Sequence, residues 1–308
     1  MNSAPLYLDV AEAPKSGHAC WIQASDGVRL RFAAWEKGSK GTILIFSGRT
    51  EFIEKYGRVV GEFQNRGYAC AIIDWRGQGL SDRLVPNRQL GYVQAFEDYQ
   101  RDVAAMLTKA IEQNLPQPYF LLAHSMGGTI GFRSIRGVLP VKKAAFTAPL
   151  WGVHIDPLIR PIVQAVAAGT RSVGMGTEFA PGTGPENYVI SNGFEDNSLT
   201  SDKESFAYLK RQMKNNPGLV IGGPSIHWLY EALTETRNIL RSDPPALETL
   251  CLLGSDESVV DSRDVVQRME SWPGGRLETI KAAGHEILME TPGIRKRAFD
   301  LIDGFFSA

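Results

Sequence analysis

Cysteine is scarce in this chain, histidine is nearly so, and net charge is almost absent. The 308 residues hold three cysteines, Cys20, Cys70 and Cys251, each in or beside an apolar run. An odd, scattered set excludes a disulfide framework and fits a reducing compartment; in such runs cysteine acts as a small apolar filler. The five histidines, His18, His124, His154, His227 and His285, include no pair at metal-ligand spacing, so a metal site is not expected. With 33 basic and 34 acidic side chains the formal net charge is −1, which points away from nucleic acid and from strong attraction to anionic membranes. No run is long and apolar enough to span a bilayer. The stretch Met1 to Asp9 lacks the basic start and apolar core of a secretory leader. The chain is expected in the cytoplasm, with peripheral attachment to the inner membrane face left open.

What the chain does have is a rhythm. Apolar runs alternate with helical patterns, which means a largely parallel sheet covered on both faces. Two early strands, around Cys20–Gln23 and Arg29–Trp35, flank the hairpin signal Ser25-Asp26-Gly27. Further strands are expected over 42–46, 68–74, 119–122, 144–148, 249–253 and 277–280. Helices are expected over 54–65 and 96–114, the second with Phe96, Tyr99, Val103, Met106, Leu107 and Ile111 on its apolar face. From about Pro149 to Pro244 the rhythm breaks. Residues 157–166, 202–213 and 227–239 read as helices there, and 169–185 reads as a glycine-rich loop. The length suits one large α/β domain with an insert. The expected division is a core of 1–149 and 245–308 and a cap of 150–244 above the strand ends. Cap helices would wall an apolar site, or Leu158, Ile159, Ile162 and Val163 would pack only on the sheet.

The segment Ala123-His124-Ser125-Met126-Gly127-Gly128 lies between a strand and a helix. A serine on such a sharp turn exposes its hydroxyl to a carbonyl carbon, and small residues must flank it because two chain segments pass close together. Alanine at 123 replaces the usual glycine. The nucleophile needs a histidine base, and the base needs a carboxylate; the chain order in this type of site is serine, acid, histidine. His285, in the turn Ala282-Ala283-Gly284-His285-Glu286 after a late strand, is the expected base. The acid is expected from Gly254-Ser255-Asp256-Glu257, where Asp256 and Glu257 compete and either could instead cap the helix starting near Asp261. The oxyanion needs two backbone N–H groups: Met126, after the serine, and Arg49, in the turn Ser47-Gly48-Arg49-Thr50-Glu51 after an earlier strand. The Arg49 side chain either pairs with Glu51 or Glu54 or faces a substrate phosphate. The turn Asp74-Trp75-Arg76-Gly77-Gln78-Gly79 reads as scaffold, with Asp74 and Arg76 bonding the loop internally. His124 reads as a packing and hydrogen-bonding residue of the turn. His154 and His227 either touch substrate or lie on the surface.

The segments Ser47–Glu51, Asp74–Gly79, Ala123–Gly128 and Gly284–Leu288 resemble those of the α/β-hydrolase fold, and more narrowly its monoacylglycerol lipase and lysophospholipase branch. Thr147–Gly152 and Gly222–Trp228 extend the likeness into the cap, so it covers nearly the whole chain. The branch's register places the acid three residues after the strand-ending glycine and three before a valine, which selects Glu257 between Gly254 and Val260. The resemblance implies hydrolysis of a single-chain lipid ester without a cofactor. The alternatives are a general carboxylesterase, thioesterase or lactonase, or a non-catalytic binding protein on the same scaffold.

Overall fold

Strands buried on both faces must be apolar at every position, and most of the runs above are. The structure, a computed structural model, describes residues 2–137, 139–153, 169 and 175–308. One sheet holds eight strands: β1 (His18–Gln23), β2 (Arg29–Trp35), β3 (Thr42–Phe46), β4 (Ala69–Asp74), β5 (Tyr119–His124), β6 (Val141–Thr147), β7 (Thr249–Gly254) and β8 (Gly275–Ile280). Their order across the sheet is β1-β2-β4-β3-β5-β6-β7-β8. β1, β2 and β4 pair antiparallel, and every other pair is parallel. The hairpin between β1 and β2 turns at Gly27, whose φ of +88° suits glycine. This is the mostly parallel α/β-hydrolase sheet that the sequence predicts.

Side-chain alternation divides the core into two layers. Leu44, Phe46, Leu121, Ala123, Cys251 and Leu253 face one side, against the helices α2 (Tyr99–Glu112), α3 (Met126–Arg136) and α6 (Ser262–Glu270). Ile43, Ile45, Cys70, Phe120, Leu122 and Leu252 face the other, against α1 (Gly57–Asn65) and α7 (Pro292–Ser307). All three cysteines are buried thiols. One expected core residue is misplaced: Ile111 is 53% exposed. The buried face of α2 runs Val103, Met106, Ala110, and Ile111 sits a further 100° round the helix, off that face.

Between β6 and β7 lie α4 (Lys203–Asn215) and α5 (Ile226–Arg241), close to the expected bounds. Asp202 and Ser225 cap them by accepting from the N–H groups of Ser205 and Trp228. Trp228, Ala232 and Ile239 of α5 join the core cluster on the α2/α3 side. Phe206, Leu209 and Met213 of α4 form a separate cluster with Phe52, Val189 and Met289. The helix expected over 157–166 lies outside the described residues, as does His154. No helix among the described residues is long and apolar enough to cross a membrane.

Because β3 to β8 all run one way, the turns after β3, β5, β7 and β8 gather along one edge of the sheet, where open α/β sheets bind ligands. A buried ionic knot fixes the first of these turns. Arg31 on β2 donates from Nε to Asp74 at 2.7 Å and from both terminal nitrogens to Glu54, each at 2.7 Å. Asp74 also accepts from the N–H groups of Ile53 and Leu80, at 2.9 and 2.7 Å. Asp74 thus bonds its own loop, as expected. Arg76 instead reaches outward, to Asp102 on α2 and Asp26 in the β1–β2 turn. Arg31→Met would leave two buried carboxylates without their cation, so unfolding in urea should show a loss of about 3 kcal/mol or more. Unchanged stability would mean the knot holds nothing.

Candidate active site

β5 is buried along its whole length and stops abruptly at Ser125, whose φ of +50° and ψ of −118° are strained for a residue with a side chain. Backbone bonds hold that conformation. The Ser125 N–H donates to Thr147 O at 3.2 Å, and its carbonyl accepts from Gly128 and Leu150 at 2.8 and 2.9 Å. A Cβ on Gly127 would stand 2.1 Å from the Phe46 carbonyl oxygen, and one on Gly128 would stand 2.5 Å from the Pro149 ring. Alanine fits at 123 because its neighbour in α3 is Gly131, whose own Cβ would come within 3.3 Å of the Ala123 methyl. A small residue is still needed at this crossing, and the helix supplies it.

His285 stands after β8, and its Nδ1–H donates to Glu257 Oε2 at 2.8 Å. A carboxylate only accepts, so this bond fixes the tautomer and leaves Nε2 free to take a proton. The other Glu257 oxygen accepts from the N–H groups of Val259 and Val260, at 2.6 and 3.1 Å. Burial alone would raise the Glu257 pKa, but the His285 bond and charge and these two amides outweigh it and hold it below the ordinary glutamate value. Asp256 is exposed and accepts from Ser255 Oγ at 2.8 Å. The cap of α6 is Asp261 itself, which accepts from the Arg263 N–H. Between the two competing carboxylates, the imidazole is bonded to Glu257.

The turn after β3 is clamped from three sides. Gln78 donates to Gly48 O at 3.2 Å and accepts from the Thr50 N–H at 2.7 Å. Glu51 accepts from the Gly48 N–H, and the Trp75 indole donates to Ser47 O at 3.0 Å. The Asp74–Asp82 turn is therefore scaffold, with Gln78 as its working side chain. Among the described residues, nothing accepts from the amides of Arg49 or Met126. Two unused donors flank the serine turn, one of them at the N-terminus of α3, where partial positive charge gathers.

A family model described as "Serine aminopeptidase, S33" (Hydrolase_4) matches residues 37–292. The chain belongs to this family of α/β-hydrolases. It is 31% identical over 295 residues to lysophospholipase L2 of Escherichia coli strain K12, covering 92% of this chain and 85% of the relative. It is 26% identical over 279 residues to a probable lysophospholipase L2 of Haemophilus influenzae, covering 88% and 85%. A soluble variant of monoglyceride lipase from Saccharomyces cerevisiae shares the fold, with a TM-score of 0.72, 17% identity and 92% and 93% coverage.

In this hydrolase Ser125, His285 and Arg49 line one cavity of about 430 Å³, within the usual range for small-molecule sites. Met126 is fully buried behind it. Leu209 and Met213 of α4, Trp228 and Leu229 of α5, and Leu150, Val153, Val189 and Val260 supply apolar wall. Arg49 does not pair with Glu51 or Glu54: Glu54 belongs to Arg31, and Glu51 to Lys55, Tyr56 and Gly48. His227 is buried, donates from Nε2 to Gln94 O at 2.7 Å and stacks on Tyr92, so it is neither a surface residue nor part of the cavity wall.

Sequence reading missed a buried charge cluster directly under the serine turn. Lys55 donates to both Glu51 and Glu286, the latter at 2.6 Å. His124 Nε2 stands 3.6 Å from Glu51 and 3.5 Å from Glu286, and its ring centre is 4.8 Å from that of His285. Ligand atoms of Glu51, His124 and Glu286 lie within 4.8 Å of one another, close enough for a cation, but the Lys55 ammonium already joins the two carboxylates. Nδ1 of His124 faces Thr147 O at 3.0 Å and must donate to it. If the ring were neutral, Nε2 would then turn a lone pair on two carboxylates. Burial lowers the His124 pKa, but Glu286 and Glu51 outweigh it and raise the value above that of an ordinary histidine. Protonated, His124 brings the cluster to two cations and two anions. Glu286, adjacent in sequence to His285, was the available clue. A raised pKa contributes stability that is full below the ordinary histidine value and lost as pH rises through the raised one. His124→Asn should therefore cost about 3 kcal/mol at pH 6 and less at pH 9. A gap from wild type that widens with pH in denaturant titrations would mean a neutral ring.

Proposed function

We propose that this protein hydrolyses carboxylic esters of single-chain lipids through an acyl-enzyme. Ser125 Oγ attacks the ester carbonyl while His285 Nε2 takes its proton. Glu257 fixes the imidazole and stabilises its charged form. The amides of Arg49 and Met126 hold the oxyanion. As the tetrahedral intermediate collapses, His285 returns the proton to the departing alcohol. Water, deprotonated by His285, then attacks the acyl carbon, and Ser125 recovers its proton as the fatty acid leaves. Residues 1–149 and 245–308 act as the catalytic core, and 150–244 as a cap whose aliphatic side chains receive the acyl chain. A water-soluble enzyme that meets single-chain lipids at the inner membrane face, in the cytoplasm, suits this role.

The observation that carries the reading is the meeting of a strained serine and a carboxylate-anchored imidazole in one cavity whose accessible surface is mostly apolar. The lysophospholipase and monoglyceride lipase names of the relatives above agree with it. Ser125→Ala should end covalent labelling by a serine-directed phosphonate and leave the melting temperature within a few degrees. Glu257→Gln should reduce kcat by roughly a thousandfold or more, while Asp256→Asn should change it little. The reverse ranking would transfer the acid to Asp256. Nitrophenyl esters of graded length should be cleaved faster as the chain lengthens, and a preference for acetate would make the protein a general esterase.

A further inference from the structure

Among the described residues, the Arg49 guanidinium is a cation without an anion. It is half-buried and lines the same cavity as Ser125 and His285. One of its N–H groups donates to Gly222 O at 3.1 Å, and the plane lies 5.5 Å from the Trp228 ring centre. Among the described residues, no carboxylate comes within ion-pair distance of it. The other ionisable groups on the cavity wall have partners: Lys55 lies against Glu51 and Glu286, and His285 against Glu257. A half-buried guanidinium with one donor engaged keeps the rest of its fork available to an anion that enters the cavity. Planar forked donors are suited to a phosphate oxygen pair. The guanidinium is also tethered where a head group would fall. Its own backbone N–H is the proposed oxyanion donor, so the charge stands within one side-chain length of the reacting carbonyl, while only glycerol carbons separate ester from phosphate in a single-chain phospholipid.

From this we infer that Arg49 forms a subsite for the phosphodiester of the substrate head group and selects lysophospholipids over monoacylglycerols. The inference rests on the lipid-ester reading above and narrows it. Burial brings the Arg49 pKa down to about 10, so the group keeps its charge at neutral pH.

The test separates binding from turnover by using the full chain with Ser125→Ala. Dissociation constants are measured below micelle-forming concentrations for three ligands with one acyl chain: lysophosphatidylglycerol, its neutral phosphate methyl triester, and monoacylglycerol. The anionic lipid should bind about tenfold tighter than the triester, the scale of one charge-assisted hydrogen-bonded contact. Adding Arg49→Gln should bring that ratio below about threefold, and Arg49→Lys should restore part of it. An anionic preference that survives Arg49→Gln overturns the inference. So does equal binding of anionic lipid and triester by protein that retains Arg49, a comparison that does not depend on any Arg49 variant folding. The lipid-ester reading fails separately, if wild-type protein hydrolyses neither lysophosphatidylglycerol nor monoacylglycerol.

Discussion

Between Gly127 and the carbonyl oxygen of Phe46 there is no room for a methyl group, and the rest of the site follows from that contact. A Cβ at 127 would also lie 2.7 Å from the Ser47 carbonyl oxygen. The first turn of α3 is thus pressed on the end of β3 and on the turn that follows it. Beside this crossing Ser125 holds its positive-φ conformation, and the Met126 amide follows it near the Ser47–Thr50 turn that carries the Arg49 amide, neither amide having an acceptor among the described residues. The strained serine turn and the two amides proposed to hold the oxyanion thus lie at one close approach.

Charge then holds what packing has placed. The segment from Gly48 to Tyr56 is gripped on one side by Arg31, Glu54 and Asp74 and on the other by Lys55, Glu51, Glu286 and His124. Each knot is fully or almost fully buried, where Coulomb attraction is strong but desolvation is costly, so partial satisfaction would be worse than none. Both knots reach close to full pairing. The turn between them is consequently held on both sides, which is the support that the proposed oxyanion amides would need. Arg49, inside the same turn, is left out of both knots, and this is why its charge is available to a ligand.

The central strands were legible because a parallel strand covered on two faces has to be apolar throughout, and that pattern survives without any knowledge of neighbours. The candidate serine, acid and histidine turns stand out in the sequence because the proposed chemistry needs particular residues at strand ends in a set order, and the structure has strands ending before each of them. The choice of Glu257 over Asp256 followed family register, and the hydrogen bond to His285 agrees with it. Ile111 was misread because helical spacing tolerates a residue one step off the stripe, and only the position of the sheet says which step is buried.

What the chain by itself determined, then, was local: which segments are strands, where they stop, and which reactive residues stand at their ends. Tertiary structure alone decided what meets what. Lys55 and Glu286 are 231 residues apart in the chain, and no pattern within either segment announces the other. Gly131 makes room for Ala123 only because a helix folds back over its own strand. Among the described residues Arg49 has no carboxylate partner, because Glu54 is bound to Arg31 and Glu51 to Lys55. Periodicity records the demands of backbone and solvent, which are the same for every residue in an element. Ion pairing and close approach are decided by partners from distant segments, and those come into existence only when the sheet is assembled.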